Sequence, residues 1–357
     1  MSSDIAPADQ ISSDILERVE DVLRKSPESI DNFTVEVDEL ITEILNEYGD
    51  ESDSCQDTAY TLAYILKLTN EFNFMFIKPK IIRDIFLGGG SFGSVFKANY
   101  NNSAVALKII DQAFTDKKYE QLKTWFSREL RHWRDISNHD NVLELIGCYA
   151  EVNEGSIEFG LVSPFANGGS LSEFCENRKV TLAAKHHHLV SIALGLQHLH
   201  NQREALIHGD LCCDNVLVHD EVVKIADFGL SKYDAGISTL TMQGYTEDMN
   251  FERIGPGVSS RTKETDIFAF GSLAYEVKCT LSAHCFILID FEQLFTGSTA
   301  QFQLAPYTWP SRPYVLGDAR WDDLWRIVED CWAKEPVNRP SAEDLVSRLQ
   351  RAAGSIV

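Results

Sequence analysis

The sequence predicts an α+β chain. A strand-rich front is joined through a Gly-containing hinge to a helix-rich back, and a short acidic helical region precedes both. Three observations predict this. From Ile81 the chain runs IIRDIFLGGGSFGSVFKANYNNSAVALKII, β-rich segments separated by Gly and by Asn101-Asn102. From Ser170 onward helical periodicity dominates, as in Lys185–His200 and Trp321–Ala333. Residues 1–80 carry 18 Asp/Glu against 6 Lys/Arg, so the front of the chain has its own character. The 357 residues leave room for one large or two ordinary domains.

Each element has its own justification. Ile11, Ile15, Val19 and Leu23 recur every four residues, and Leu16 and Val22 widen the stripe, which predicts a helix ended by Ser26-Pro27. Phe33–Tyr48 repeats the pattern through Val37, Leu40, Ile41, Ile44, Leu45 and Tyr48. Gly49–Asp57 is polar and reads as a loop, and Thr58–Phe72 as a third helix. These helices are either a cap on the rest of the chain or an acidic module that binds a protein partner. After the first strands comes a charged helix around Tyr119–Ile136, then strand-like runs at Leu143–Tyr149 and Ile157–Ser163. There is no internal repeat.

Composition narrows the function. A net charge of −22 argues against binding a nucleic-acid polymer, which needs an excess of Lys and Arg, but not against binding one nucleotide. No apolar run approaches the roughly 18 residues that span a bilayer. The N-terminal MSSDIAPADQ lacks the basic and apolar regions of a secretion signal. The expectation is an intracellular, cytoplasmic chain without membrane attachment. The eight cysteines show no CxxC pair and no zinc-ligand spacing, so neither a disulfide scaffold nor a zinc site is expected.

Chemistry enters at Gly88, Gly90 and Gly93, a G-x-G-x-x-G with Val95 two residues beyond it. Without Cβ atoms such a backbone can approach phosphate oxygens, although a plain glycine-rich hairpin reads the same way. The next segment, Val95–Asn99, is strand-like rather than helical, so this is not the dinucleotide fingerprint. Lys108 ends Val105-Ala106-Leu107-Lys108. Its apolar neighbours should bury its stem, and a buried ammonium needs an acid. Glu129 on the charged helix is the candidate partner. His208-Gly209-Asp210 leads to Asn215, and twelve residues later to Asp227-Phe228-Gly229. Asn215 and Asp227 offer hard oxygens of the kind that hold Mg²⁺. Asp210 can orient a hydroxyl and accept its proton.

In this order and spacing the residues resemble the eukaryotic protein kinase signature set. The resemblance runs from about Ile81 to Leu349 and includes Asp266-Ile267-Phe268-Ala269-Phe270-Gly271 and the ending Cys331-Trp332 through Arg339-Pro340. It is most similar to the fungal tyrosine-kinase-like serine/threonine kinases. The resemblance implies a bilobal fold, with an N-lobe at about 81–162 and a C-lobe at about 168–351, within a kinase domain of 81–351 behind an acidic region of 1–80. It implies ATP and Mg²⁺ as cofactors and Ser/Thr of a protein as acceptor. Leu87, Gly88, Gly90 and Gly93 would cover the nucleotide, and Val95, Ala106 and Leu217 would sandwich adenine. Ser163 would be the gatekeeper before Pro164-Phe165-Ala166. Lys108, paired to Glu129, would bind the α- and β-phosphates. Asp210 would be the base, and Asn215 and Asp227 the metal ligands. Trp133, His208 and Phe228 would stack as a spine, and Glu252 would pair with Arg339.

Four departures from the pattern stand out. Gly209 replaces the Arg of the HRD motif, so phosphorylation of Ser238, Thr239 or Thr241 has no obvious partner. Cys212 replaces the catalytic-loop Lys, and Asp214 stands where tyrosine kinases carry Arg. This predicts slow transfer, or a pseudokinase that binds ATP and serves as a signalling scaffold. Asn250-Phe251-Glu252 replaces APE behind the acidic Gly244–Asp248, which favours a basic substrate. Finally, the sixteen residues Lys278–Gln293, containing the apolar CFILIDF, separate Glu276-Val277 from Leu294-Phe295-Thr296-Gly297. They read as a local loop or as a translated in-frame intron.

Overall fold

The computed structural model describes residues 11–24, 30–49, 53–72, 81–90, 93–109, 128–153, 156–178, 180–234, 261–279 and 320–353. They fall into two units, one formed by the residues up to Arg134 with Glu144–Phe165, the other by Asp135–Leu143 with those from Ala166 onward.

The first unit opens with three helices, α1 (Ser13–Arg24), α2 (Ile30–Tyr48) and α3 (Asp53–Phe72). Each turns its apolar stripe inward. Ile15, Val19 and Val22 of α1, Val37, Leu40 and Ile44 of α2, and Leu62, Ile65 and Leu66 of α3 are all buried. Arg18 forks onto Glu43, with both Nη–Oε distances at 2.7 Å, and so ties α1 to α2. That hydrogen bond raises the Arg18 pKa and lowers that of Glu43.

The same unit holds a five-stranded antiparallel sheet of β1 (Ile82–Gly90), β2 (Gly93–Tyr100), β3 (Ser103–Ile109), β4 (Gly147–Asn153) and β5 (Ser156–Pro164). Its order is β1-β2-β3-β5-β4. α1 packs on β4 and α3 on β5, so the helices and the sheet are one unit. Along β3 the side chains alternate between faces. Val105, Leu107 and Ile109 are buried with Ala98, Tyr149 and Val162. Ala106 and Lys108, half-buried, take the opposite face. Helix α4 covers 128–136 and buries Glu129, Leu130, Trp133 and Ile136. The strand read from Leu143 begins instead at Gly147, because the Leu143 amide bonds to the carbonyl of Ile225 at 2.8 Å.

The second unit is helical, with small strand pairs. It contains α5 (Leu171–Asn177), α6 (Leu182–His200), α7 (Lys263–Cys279), α8 (Arg320–Cys331) and α9 (Ala342–Ala353). Ser170 caps α5 in a capping box with Glu173, and Thr181 caps α6. α6 packs on α7 and α9, burying Leu189, Ile192, Leu196 and Leu199. The short strands are β6 (Leu206–Ile207), β7 (Val216–His219), β8 (Val222–Ile225) and β9 (Lys232–Tyr233), paired β6–β9 and β7–β8. α7 continues through Lys278 and Cys279, so the segment read as an insertion begins inside a helix. The rest of that segment, the Ser238–Thr241 and Gly244–Asp248 positions and Asn250-Phe251-Glu252 lie outside the described residues. Among the described residues no helix is long and apolar enough to cross a membrane.

Candidate active site

In the first unit the glycine motif falls on the β1–β2 ribbon. Gly88 and Gly90 are in β1, Gly93 opens β2, and Gly90 faces Gly93. The β1 register shifts twice, between Arg83 and Ile85 and between Phe86 and Gly88. A Cβ on Gly88 would meet nothing within 4 Å, so packing does not demand glycine there. Gly93 has φ +138°, which does favour glycine. Val95 pairs with Lys108 across β2–β3, and Ala106 with the buried Ser163 across β3–β5. Leu87 is exposed on β1. Pro164 ends β5 opposite Val105, a position that asks no amide of it, and Phe165 N then donates to Ala104 O at 3.2 Å.

β3 and α4 bring Lys108 and Glu129 together. Nζ donates to Oε1 at 2.9 Å, with the carboxylate fully buried and the lysine side chain 18% exposed. A carboxylate so placed needs its cation, because burial without a partner costs several kcal/mol. The arrangement leaves a fixed positive charge at the end of β3, the type of group that holds an anionic ligand.

The second unit assembles the other residues around the loop from β6 to β7. Asn215 Nδ2 donates to Asp210 twice, to its carbonyl at 2.8 Å and to its Oδ2 at 2.9 Å. Ala226 N donates to the Asn215 carbonyl at 2.9 Å, which brings Asp227 alongside Asn215. Asp227 has φ +61°, a left-handed conformation that Asp tolerates better than most residues. Phe228, fully buried, packs edge-on against His208 at 5.4 Å between ring centroids. His208 Nε2 bonds to Ala226 O at 3.0 Å and Nδ1 accepts from Asp210 N at 3.2 Å, so the ring proton belongs on Nε2. Leu217 is half-buried in β7, bridged to Ser170, and Gly168 N donates to Val218 O at 2.9 Å just past the buried Ala166. Trp133 is buried on α4, in the other unit.

Sequence reasoning quoted Asp266 in a motif but missed its role in supporting this loop. Asp266, buried in the first turn of α7, accepts from His208 N at 2.9 Å, from Gly209 N at 2.8 Å and from His200 Nε2 at 2.8 Å. One carboxylate thus fixes two consecutive amides of the loop. The sequence signal was the motif Asp266-Ile267-Phe268-Ala269-Phe270-Gly271, which marked the residue without giving it a role. Arg339 donates through Nε to Ala333 O and through Nη1 to Glu264 O, and lies 4.9 Å over the Phe268 ring. Its Nη2 is buried without a partner among the described residues, and Glu252 is outside them.

Asn215 and Asp227 fit a hard divalent cation. With Nδ2 of Asn215 turned to Asp210, its oxygen is the remaining donor, and a site of one or two side-chain oxygens completed by phosphate suits Mg²⁺. Among the described residues no cluster of three or more His, Cys, Asp or Glu offers another metal site. The buried thiols are not nucleophiles: burial pushes Cys148 and Cys331 up to about 12 and raises Cys213 as well.

A sheet unit carrying a lysine–glutamate pair, and a helical unit carrying this Asp–Asn–Asp loop, are the two parts of a protein kinase domain. Residues 81–349 match the family model for protein tyrosine and serine/threonine kinases, and the chain belongs to that family. Receptor-interacting serine/threonine-protein kinase 3 of Rattus norvegicus is 30% identical over 74% of this chain and 54% of its own length. Seven transmembrane domain-containing tyrosine-protein kinase 1 of Dictyostelium discoideum is 28% identical over 74% of this chain and 37% of its own. Serine/threonine-protein kinase CTR1 of Arabidopsis thaliana is 25% identical over 76% and 31%. The chain thus spans about half or less of the length of these relatives.

Proposed function

We propose that this chain transfers the γ-phosphate of ATP to Ser or Thr hydroxyls of a protein substrate, slowly. Lys108, held by Glu129, binds the α- and β-phosphates. Leu87 and the three glycines cover them, and Val95, Ala106 and Leu217 enclose the adenine, with Ser163, Pro164 and Ala166 along its edge. Asp210 orients the acceptor hydroxyl and takes its proton. Asn215 and Asp227 hold Mg²⁺, which when bound supplies positive charge to the phosphate oxygens. Catalysis is mainly positioning and charge stabilisation.

The observation that carries this reading is the double anchoring of Asp210 by Asn215 beside Asp227. An ATP-binding scaffold needs Asn215 and Asp227 for the cation but not a fixed Asp210, so the anchoring of Asp210 favours transfer. Cys212, half-buried where relatives of this pattern carry lysine, favours the second reading, an ATP-binding pseudokinase. The Ser/Thr assignment leans on two of the three relatives above, and the acidic sequence Gly244–Asp248 favours a basic substrate, while the acidic helices α1–α3 are the surface offered to a protein partner. The test is incubation with ATP, Mg²⁺ and basic proteins, with the phosphate located by mass spectrometry. Phosphoserine and phosphothreonine that vanish in Asp210→Asn are expected. Phosphotyrosine alone would overturn the specificity, and no product at all would favour the pseudokinase.

A further inference from the structure

Position 209 carries glycine where the resemblance calls for arginine, and the structure sets a different arginine against it. Gly209 has φ +77°, a conformation that favours glycine. A Cβ built there would overlap Cδ of Arg261, and would stand 3.0 Å from its Nε and 3.1 Å from the Leu230 carbonyl oxygen. The space a side chain at 209 would enter is therefore already filled.

Arg261 also makes a bond there. Its Nε donates to Gly209 O at 3.1 Å, the carbonyl of the peptide that leads into Asp210. The amide on the other side of Gly209 is held by Asp266 Oδ1 at 2.8 Å. The residue before Asp210 is thus pinned at both ends, by a cation two residues ahead of α7 and by an anion in its first turn. Burial lowers the Arg261 pKa, and the carboxylates of Asp210 and Asp266 work against that. The guanidinium therefore lies within the field of Asp210. Lys232 on β9 is lowered by burial too, and the Arg261 charge adds to the effect. An arginine here is costly to bury, and it is offset by the two carboxylates and the loop carbonyl.

We propose that Arg261 is a positioning residue for Asp210, a clamp on the backbone of the catalytic loop. Gly209 and Arg261 are then a matched pair. The absence of a side chain at 209 admits the arginine, and the arginine holds the loop through the Gly209 carbonyl. This deepens the kinase reading and rests on Asp210 being the base.

The test is a set of full-length variants: Arg261→Ala, Arg261→Lys, Gly209→Ala, and Gly209→Ala with Arg261→Ala. Arg261→Ala should lower kcat about tenfold or more and change KM for ATP by less than about twofold, because it moves the base and not the nucleotide. Arg261→Lys should recover part of the loss. In thermal unfolding, Gly209→Ala should cost clearly less in the Arg261→Ala background than in wild type, since only the φ strain remains there. An Arg261→Ala enzyme with unchanged kcat would overturn the proposal, as would equal falls in kcat for the alanine and lysine variants. Additive unfolding costs would overturn the matched pair. If the wild type transfers no phosphate, the kinase reading fails, and the unfolding cycle still decides whether Gly209 and Arg261 are coupled.

Discussion

Asn215 binds Asp210 through a single nitrogen, its Nδ2 lying 2.8 Å from the Asp210 carbonyl and 2.9 Å from its Oδ2. An amide suits this position and a carboxylate does not, because only the amide donates. Asn215→Asp would set a second anion against Asp210 and remove both bonds. The expected result is a thermal midpoint lowered by a few degrees, corresponding to about 1–3 kcal/mol. The extra stabilisation that Mg²⁺ adds to ATP should also weaken. A thermal-shift titration with ATP, with and without Mg²⁺, reads both, and an unaltered profile would contradict the placement of the cation.

The Lys108–Glu129 pair makes a second prediction. Glu129 is fully buried, and Lys108 keeps 18% of its side-chain surface. Removing the lysine strands a buried carboxylate, so Lys108→Met should destabilise the chain by about 2 kcal/mol or more and abolish stabilisation by ATP. Glu129→Gln keeps the shape and loses the charge. It should weaken ATP binding with a smaller cost in stability. Nucleotide titrations of both variants check this. Equal ATP affinity in Lys108→Met and wild type would remove Lys108 from the site.

Cys212 is the third. If the missing loop cation limits the rate, Cys212→Lys should raise kcat, by up to about 10²-fold if the new ammonium is as effective as other preorganised donors. Initial rates at saturating ATP measure it. A rate that stays at the wild-type level would place the slow step elsewhere.

Acidity supplies the fourth. His139 and His198 stack at 4.6 Å between centroids, tilted by 20°. Burial lowers the pKa of both, and the charge of His198 lowers that of His139 further. His188, also buried, is lowered in the same way. Below the ordinary value of 6.5 the unfolded chain takes up protons that the folded chain resists. Their contribution is therefore present above about pH 6.5 and is lost as pH falls toward the depressed folded values. The thermal midpoint should fall between pH 7 and 5.5, and His139→Gln should flatten that fall. A midpoint independent of pH over this window would contradict it.

Much of the fold and part of the candidate site could be read in the chain. Lys108 alternates with Leu107 and Ile109, so a period of two already sends it to the face opposite the apolar cluster. Asp210 and Asn215 lie on one short loop, where local spacing brings them together. The helices α1–α3 announced themselves by stripes that are in fact buried. Asp266 stood in a quoted motif, but the contacts that support the loop were not legible. Asp266 and Arg261 approach it from more than fifty residues downstream, and α7 is buried on several sides, so no stripe marks the face that carries Asp266. The placement of β5 between β3 and β4 was hidden for the same reason, since strand order is decided by contacts between distant segments. Leu143 looks like a strand residue and is not one, because its amide is committed to Ile225.

The central claim is phosphoryl transfer by the loop that carries Asp210, Asn215 and Asp227. The most direct measurement is label transfer from γ-labelled ATP, in Mg²⁺, to a basic protein by the purified wild-type chain, beside Asp227→Asn. Slow but sustained incorporation by the wild type, and none by the variant, is the predicted result. Equal incorporation by both, or none by a wild type that ATP and Mg²⁺ nevertheless stabilise, would contradict it.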